Sequence, residues 1–247
     1  MIRVEQQAGL THLIMSRPDK KNALTWDMYE SLARGVDAAA ADESVHAIVI
    51  SGEGGVFTAG NDLDDFRARA TDTNPKPSAG LAFIERLMMC DTPVIVAVEG
   101  LAIGIGTTML LHCDVVVTGR SARFKTAFVD LGLVPEAAST VTMPMHLGAR
   151  KTAELLLLGD ILNGEEAVAC GLASKAVDDG QAVAEALACA QRLTGKPRGA
   201  LRASKRLMKA PWQAMALDAL SRERDVFSER LHSEDCQQAL AKLGSKK

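Results

Sequence analysis

Aromatic side chains are scarce in this 247-residue chain, which contains six phenylalanines, two tryptophans and one tyrosine. Proteins that bind single-stranded nucleic acid stack successive bases on aromatic rings, so a chain with 4% aromatic residues is a poor candidate for that class. The net charge of −3 gives no bulk attraction to nucleic acid or to an anionic membrane. The composition therefore predicts neither a nucleic-acid partner nor a membrane partner.

Cysteine is also sparse, and its spacing argues against a disulfide framework or a metal centre. The five cysteines are scattered and odd in number, no Cys-x-x-Cys pair occurs, and the histidines are not spaced as metal ligands. We expect no metal site. Buried, reduced thiols suit a reducing cytosol.

No uninterrupted hydrophobic run is long enough to predict a membrane span. The most apolar segment, residues 94–118, is broken by glycines and by Glu99, His112 and Asp114, which indicates a buried core segment. The first five residues show no basic region followed by an apolar stretch, and Lys246-Lys247 does not match a peroxisomal address. These features predict a cytoplasmic protein.

The residues that are present predict an α/β fold. Short runs rich in β-branched residues predict strands over residues 12–15, 47–50, 94–98 and 114–118, and residues 122–124 are a further short-strand candidate. Helical patterns lie between them, and the chain becomes mainly helical from about residue 150. The last part predicts helices over 182–193, 197–209, 212–231 and 233–243, with the Ala210-Pro211 step as a break.

Two loops of small residues are the candidate functional segments. In residues 57–63 (FTAGNDL), Gly60 permits a turn that could aim a backbone N–H into a cleft, although a plain small-residue turn would look the same. Residues 100–106 (GLAIGIG) lack the Gly-x-Gly-x-x-Gly spacing of a dinucleotide site, but they offer a second donor, most simply the N–H of Ile105. Because no Gly-x-Ser-x-Gly motif is present, two such donors favour enolate chemistry on a thioester over acyl-enzyme chemistry.

Motifs along nearly the whole chain resemble the enoyl-CoA hydratase/isomerase (crotonase) family. The matching segments, in family order, are residues 17–24, 57–63, 91–100, 100–106, 112–114 and 166–173. The resemblance implies a ClpP/crotonase-like spiral of strand–strand–helix units. It also implies a core with the acyl-CoA site over residues 1–190, a C-terminal helical oligomerisation region over residues 191–247, and a homotrimer or hexamer.

The resemblance further implies an acyl-CoA thioester whose carbonyl oxygen lies between the backbone N–H groups of Asn61 and Ile105. Coenzyme A is then part of the substrate, and no separate cofactor is expected. The residues expected to border the substrate are Lys20, Lys21, Ala23, Leu24, Ala59, Gly60, Asp62, Leu63, Gly104, Thr108 and Phe128.

The acid–base residues suggest which reaction of the family applies. Family hydratases carry two glutamates at positions that hold Thr108 and Phe128 here, and neither residue suits general-base work. Glu136 remains, and residues 124–136 look like those of peroxisomal-type Δ3,Δ2-enoyl-CoA isomerases, which implies that Glu136 is the catalytic base. The side chain of Asn61 is a further candidate for orienting substrate or Glu136.

Three readings stay open at the level of sequence. The first is isomerisation of 3-enoyl-CoA to 2-enoyl-CoA in fatty-acid degradation. The second is an enoyl-CoA hydratase-like or other crotonase-family acyl-CoA enzyme, and the third is a non-catalytic acyl-CoA-binding or scaffold homologue. Glu136 itself has a structural alternative, as a first-turn glutamate that follows Pro135 and is favoured by the helix dipole.

Overall fold

The computed structural model describes residues 1–72 and 78–244, in which strands and helices alternate. The strands are β1 (Ile2–Gln7), β2 (Leu10–Met15), β3 (Ala47–Gly52), β4 (Val94–Val98), β5 (Leu101–Ile103), β6 (Val115–Gly119), β7 (Arg123–Lys125), β8 (Ile161–Leu162) and β9 (Lys175–Val177). The α-helices are α1 (Trp26–Ala41), α2 (Leu63–Thr71), α3 (Ala79–Met89), α4 (Ile105–Thr108), α5 (Ser139–Leu147), α6 (Ala149–Ala153), α7 (Gly164–Ala169), α8 (Ala182–Thr194), α9 (Arg198–Leu231) and α10 (Glu234–Gly244).

The strands form one large sheet and one small sheet. The large sheet has the order β1-β2-β3-β4-β6-β9, with an antiparallel β1–β2 pair and parallel pairing from β2 onward. The small sheet has the order β5-β7-β8. The α/β prediction is confirmed, and each strand expected from a β-branched run is present.

The parallel strands are apolar because helices cover both faces of the large sheet. One face packs into the main core with α1 and α3, while the other face meets the alanines of α8. β4 and β5 follow each other closely along the chain, which leaves the large sheet after Val98 and enters the small sheet at Leu101. The first candidate loop follows β3 and the second contains β5, and a bridge between Thr58 and Ala102 brings them together.

The predicted helix break at Ala210-Pro211 is wrong, because α9 runs through it as one helix of 34 residues. Pro211 has no N–H to donate to the carbonyl of Leu207, and Leu207 lies on the solvent side of the helix with 73% exposure. Lys205 and Lys209 before the proline are buried, as are Ala216, Ala219 and Leu220 after it. Tertiary contacts on both sides therefore keep the helix continuous.

The expected boundary at residue 190, between the core and the C-terminal helical oligomerisation region, stays a prediction. It falls inside helix α8. In the described residues, no helix is both long enough and apolar enough to cross a membrane.

Candidate active site

The first candidate loop is a tight turn between β3 and α2. Gly60 has a φ of +88°, and a Cβ there would lie 2.7 Å from the carbonyl oxygen of Ile103. The turn is held on one side by Leu24, whose N–H donates to the Gly60 carbonyl and whose carbonyl accepts from Asp62. The N–H of Asn61, between those two bonds, therefore points away from Leu24.

The second candidate loop begins helix α4. Gly104 adopts a φ of 56° and a ψ of −120°, and Ile105 is the first helical residue, so its N–H has no partner within the helix. Thr58 in the first loop accepts from Ile103 and donates its own N–H to Leu101. These bonds hold the two loops side by side.

The N–H groups of Asn61 and Ile105 donate to no other group in the described part of the chain. Both residues line two cavities at once. The outer cavity measures about 560 Å³ and the inner cavity about 90 Å³. The two free N–H groups thus belong to residues at the junction of the two cavities.

Glu136 lines the inner cavity, and this residue is only 6% exposed. Burial, with a smaller contribution from the nearby carboxylate of Glu223, raises the pKa of Glu136 to about 8. The hydroxyl of Thr108 donates to Oε1 of Glu136 at 2.6 Å and opposes that shift. Helix α5 begins only at Ser139, so the alternative reading of Glu136 as a first-turn helical residue is wrong.

Most of the residues expected around the substrate do line these cavities. Those on the outer cavity are Lys20, Ala23, Ala59, Gly60, Asp62, Leu63, Gly104 and Phe128, while Leu24 lines the inner one. Asp62 also has partners within the protein, because its carboxylate forms an ion pair with Arg17 at 2.6 Å and caps the N-terminus of α2.

Two residues expected to border the substrate, Thr108 and Lys21, do not line the cavities. Thr108 lines neither cavity, because its buried side chain lies behind Glu136 and bonds to it. Lys21 also lines neither cavity, and its carbonyl accepts from the N–H of Ala59, which braces the first loop. Lys21 reaches that position with a left-handed φ of 51°.

Tyr29 is a site residue that sequence reasoning missed. It lines the inner cavity, and its hydroxyl donates to Oδ1 of Asn61 at 2.6 Å. Burial raises the pKa of Tyr29 well above its ordinary value, so the phenol stays a neutral donor. Tyr29 lies beside Met28 and Leu32 on the buried side of α1, where a polar group among core residues was the available signal.

Glu223 was also missed, although it is a buried carboxylate on α9 only 6% exposed. Its oxygens accept from the N–H groups of Ala138 and Thr140, close to Glu136 in the chain. Nothing local in the sequence distinguishes Glu223 from the exposed acidic residues of the same helix, because its partners are 83 and 85 residues away.

Comparisons with known proteins show the family and the fold of this chain. Residues 5–246 match the family model described as enoyl-CoA hydratase/isomerase. The structure of Pseudomonas aeruginosa OdaA has 43% identity and a TM-score of 0.94, and the match covers 99% of each chain. Two curated relatives carry different activities in their names.

The first is "Enoyl-CoA delta isomerase 2" of Rattus norvegicus, 30% identical over 100% of this chain; the chain spans 64% of the length of that relative. The second is "2,3-dehydroadipyl-CoA hydratase" of Escherichia coli, 31% identical over 94% of this chain and 91% of that protein. The family is therefore clear while the reaction differs among relatives. This chain belongs to the enoyl-CoA hydratase/isomerase family.

Proposed function

We propose that the protein isomerises 3-enoyl-CoA to 2-enoyl-CoA by a proton shuttle on a single glutamate. The observation that carries this proposal is the placement of Glu136 on the wall of the small inner cavity shared with Asn61 and Ile105. The acyl-CoA would enter by the outer cavity. Its thioester would then lie at the junction, with the acyl chain beside Glu136.

The proposed reaction needs one base that becomes the acid. The carboxylate of Glu136 takes a proton from C2 of the 3-enoyl chain, and the electrons spread over a dienolate. The resulting Glu136 carboxylic acid returns the proton to C4, which moves the double bond from C3–C4 to C2–C3. Proton and electron counts balance without a redox partner, so the only coenzyme required is the coenzyme A of the substrate.

The N–H groups of Asn61 and Ile105 would stabilise the dienolate as an oxyanion hole. Donors fixed by the fold before reaction stabilise developing negative charge most effectively, and one such donor is worth about 10²–10³ in rate. Both groups are backbone N–H groups in rigid turns, and neither has another acceptor in the described residues.

The electrostatics of Glu136 support its role as the base. A general base works best with a pKa near the operating pH, and burial raises the pKa of Glu136 to about 8. Asp62 on the same wall is a worse candidate, because Arg17 and the N–H groups of α2 hold its pKa below the ordinary value. Asp65, also on this wall, accepts from the N–H of Trp26 and is solvent-exposed.

Hydration is the second candidate, and the similarity to the Escherichia coli hydratase favours it. Against it stand Thr108 and Phe128, which replace the two glutamates expected of family hydratases. The threonine hydroxyl is already donating to Glu136, so it is not a base for water. A non-catalytic acyl-CoA-binding protein is the third candidate, and a buried carboxylate with a raised pKa in the cavity argues against it.

The test compares turnover of 3-hexenoyl-CoA with that of crotonyl-CoA by the absorbance of the conjugated thioester. The parent protein should isomerise the first and hydrate the second poorly. Glu136→Gln should lower isomerisation by about 10²–10⁴-fold, the range for loss of a general acid–base. Asp65→Asn removes a different carboxyl from the same cavity and should leave isomerisation nearly unchanged.

Isomerisation that survives in Glu136→Gln, or strong hydration by that variant, would contradict this mechanism. Fast hydration by the parent with slow isomerisation would favour the hydratase reading. Binding of both thioesters without turnover would favour the non-catalytic reading.

A further inference from the structure

The turn that carries Glu136 into the cavity uses backbone conformations that side chains disfavour. The two residues after Glu136, Ala137 and Ala138, have φ values of 59° and 56°, and both are fully buried. Glycine adopts this left-handed region freely, but residues with a Cβ seldom do, and two in succession need support from surrounding groups. The turn is therefore expected to relax if its supports are removed.

The support comes from groups distant in the sequence. Oε2 of Glu223 accepts from the N–H of Ala138 at 2.6 Å, and Oε1 accepts from the N–H and the hydroxyl of Thr140 at 2.9 and 2.5 Å. On the other side, Nε2 of His112 lies 2.6 Å from the carbonyl oxygen of Ala137. Burial lowers the pKa of His112 to about 4, so the ring is neutral and Nε2–H is the donor to that oxygen.

Glu223 lies on α9 and lines neither cavity, so it has no access to the substrate. Its three hydrogen bonds all go to the turn and to the first residues of α5, where Ala138 provides no side-chain cap. A carboxylate at a helix N-terminus also stabilises the helix through its dipole. Capping alone, however, would affect stability and leave the position of Glu136 unchanged.

We infer that Glu223 is a positioning residue, which holds the left-handed turn at Ala137-Ala138 and so keeps the Glu136 carboxyl in the inner cavity. This inference rests on the proposed function, because it takes Glu136 as the base. It assigns a role in the reaction to the C-terminal helix α9, through hydrogen bonds to the backbone N–H groups of Ala138 and Thr140 and to the Thr140 hydroxyl.

The chain offers a matched control for the capping effect. Glu99 is another buried carboxylate, 8% exposed, and it accepts from the N–H of Ala182 at the start of α8. Glu99 lines neither cavity. Glu99→Gln thus perturbs a buried helix cap without touching the turn that carries Glu136.

The experiment measures kcat and KM for 3-hexenoyl-CoA in the parent, Glu223→Gln, Glu99→Gln, Ala138→Gly and the Glu223→Gln/Ala138→Gly double variant. Misplacing a catalytic group by about 1 Å costs roughly 10² in rate, so kcat of Glu223→Gln should fall by about that factor while KM stays near the parent value. Glu99→Gln should keep the parent kcat.

Rescue of kcat by a second substitution distinguishes a positioning role of Glu223 from a purely structural one. Glycine adopts the left-handed turn without a penalty, so Ala138→Gly should restore most of the kcat lost in Glu223→Gln. If Glu223→Gln does not fold, Glu223→Asp withdraws the carboxylate by one methylene and should show a smaller kcat loss with the same rescue.

Parent-like kcat in Glu223→Gln, or a kcat loss that Ala138→Gly fails to rescue, would overturn the inference. In those cases a dead Glu136→Gln variant would leave the proposed function standing. Full isomerisation by Glu136→Gln would overturn the proposed function and this inference together.

Discussion

At the scale of single residues, Glu136 is a carboxyl group in an environment that disfavours its charge. Burial raises its pKa from 4.5 to about 8, and among the described residues only the Thr108 hydroxyl donates to it. The folded protein therefore holds this proton more tightly than the unfolded chain does. The stability that the group contributes is fully present below pH 4.5 and is lost as the pH rises through about 8.

A pH series of unfolding tests this linkage. Glu136→Gln cannot ionise, so its free energy of unfolding should improve relative to the parent as pH rises from 4.5 to 8. Urea unfolding at several pH values across that window measures the difference. Glu223 is present in both proteins, so its own contribution to the pH dependence of the free energy of unfolding cancels to first order. A difference that does not change with pH would contradict the raised pKa.

Gly60 is the second residue on which the site depends. A methyl group at this position meets the Ile103 carbonyl oxygen at 2.7 Å, and the φ of +88° is disfavoured for alanine. Gly60→Ala should cost about 1–3 kcal/mol of stability and reduce kcat, because the Asn61 N–H moves with the turn.

The control is Gly199→Ala in the first turn of α9, where an added Cβ meets nothing within 4 Å. That substitution should gain about 0.5–1 kcal/mol of stability and leave kcat unchanged. Thermal unfolding and the isomerase assay measure both variants. Equal effects of the two alanines would show that the Gly60 turn is not required.

At the scale of elements, α9 is held to the core by charged side chains that cap other helices. Arg198 and Arg202 donate to the carbonyl of Ala40 near the end of α1, and Lys209 donates to the carbonyls of Leu87 and Met88 near the end of α3. Farther along, Glu223 accepts from the start of α5. Cations thus meet helix C-termini and an anion meets a helix N-terminus, as the helix dipoles favour.

This arrangement explains why the break at Pro211 could not be predicted. Local propensity favours ending a helix near a proline, and the opposing contacts come from α1, α3 and α5, which are distant in the sequence. The strands were predictable because their β-branched runs carry a local signal. The short strands β5, β8 and β9 carry no such run and depend on tertiary pairing.

Lys209 provides a prediction for this element. Burial lowers its pKa to about 8 from 10.5, so the stability it contributes is present above pH 10.5 and is lost as the pH falls through about 8. The parent should therefore gain stability relative to Lys209→Met as the pH rises from 8 to 10.5. Urea unfolding measures the gain, and Lys196→Met, at an exposed lysine, should show none. A stability difference between the parent and Lys209→Met that does not change with pH would contradict the lowered pKa of Lys209.

At the scale of the whole molecule, the fold brings a strand end, a helix start and a loop from three parts of the chain to one cavity. The two glycine loops and Glu136 were predictable from sequence, since their motifs are local. Tyr29 and Glu223 were not, because their significance depends on partners 32 and 85 residues away. The homotrimer or hexamer expected from the family stays a prediction.

The fate of one proton tests the central claim most directly. 3-Hexenoyl-CoA carrying deuterium at C2 is converted by the parent protein in ordinary water, and the product is analysed by NMR and mass spectrometry. Return of the proton by Glu136 within the small inner cavity predicts that deuterium appears at C4 of the 2-hexenoyl-CoA. A product with no deuterium at C4, all of it replaced by solvent hydrogen, would contradict the single-glutamate shuttle.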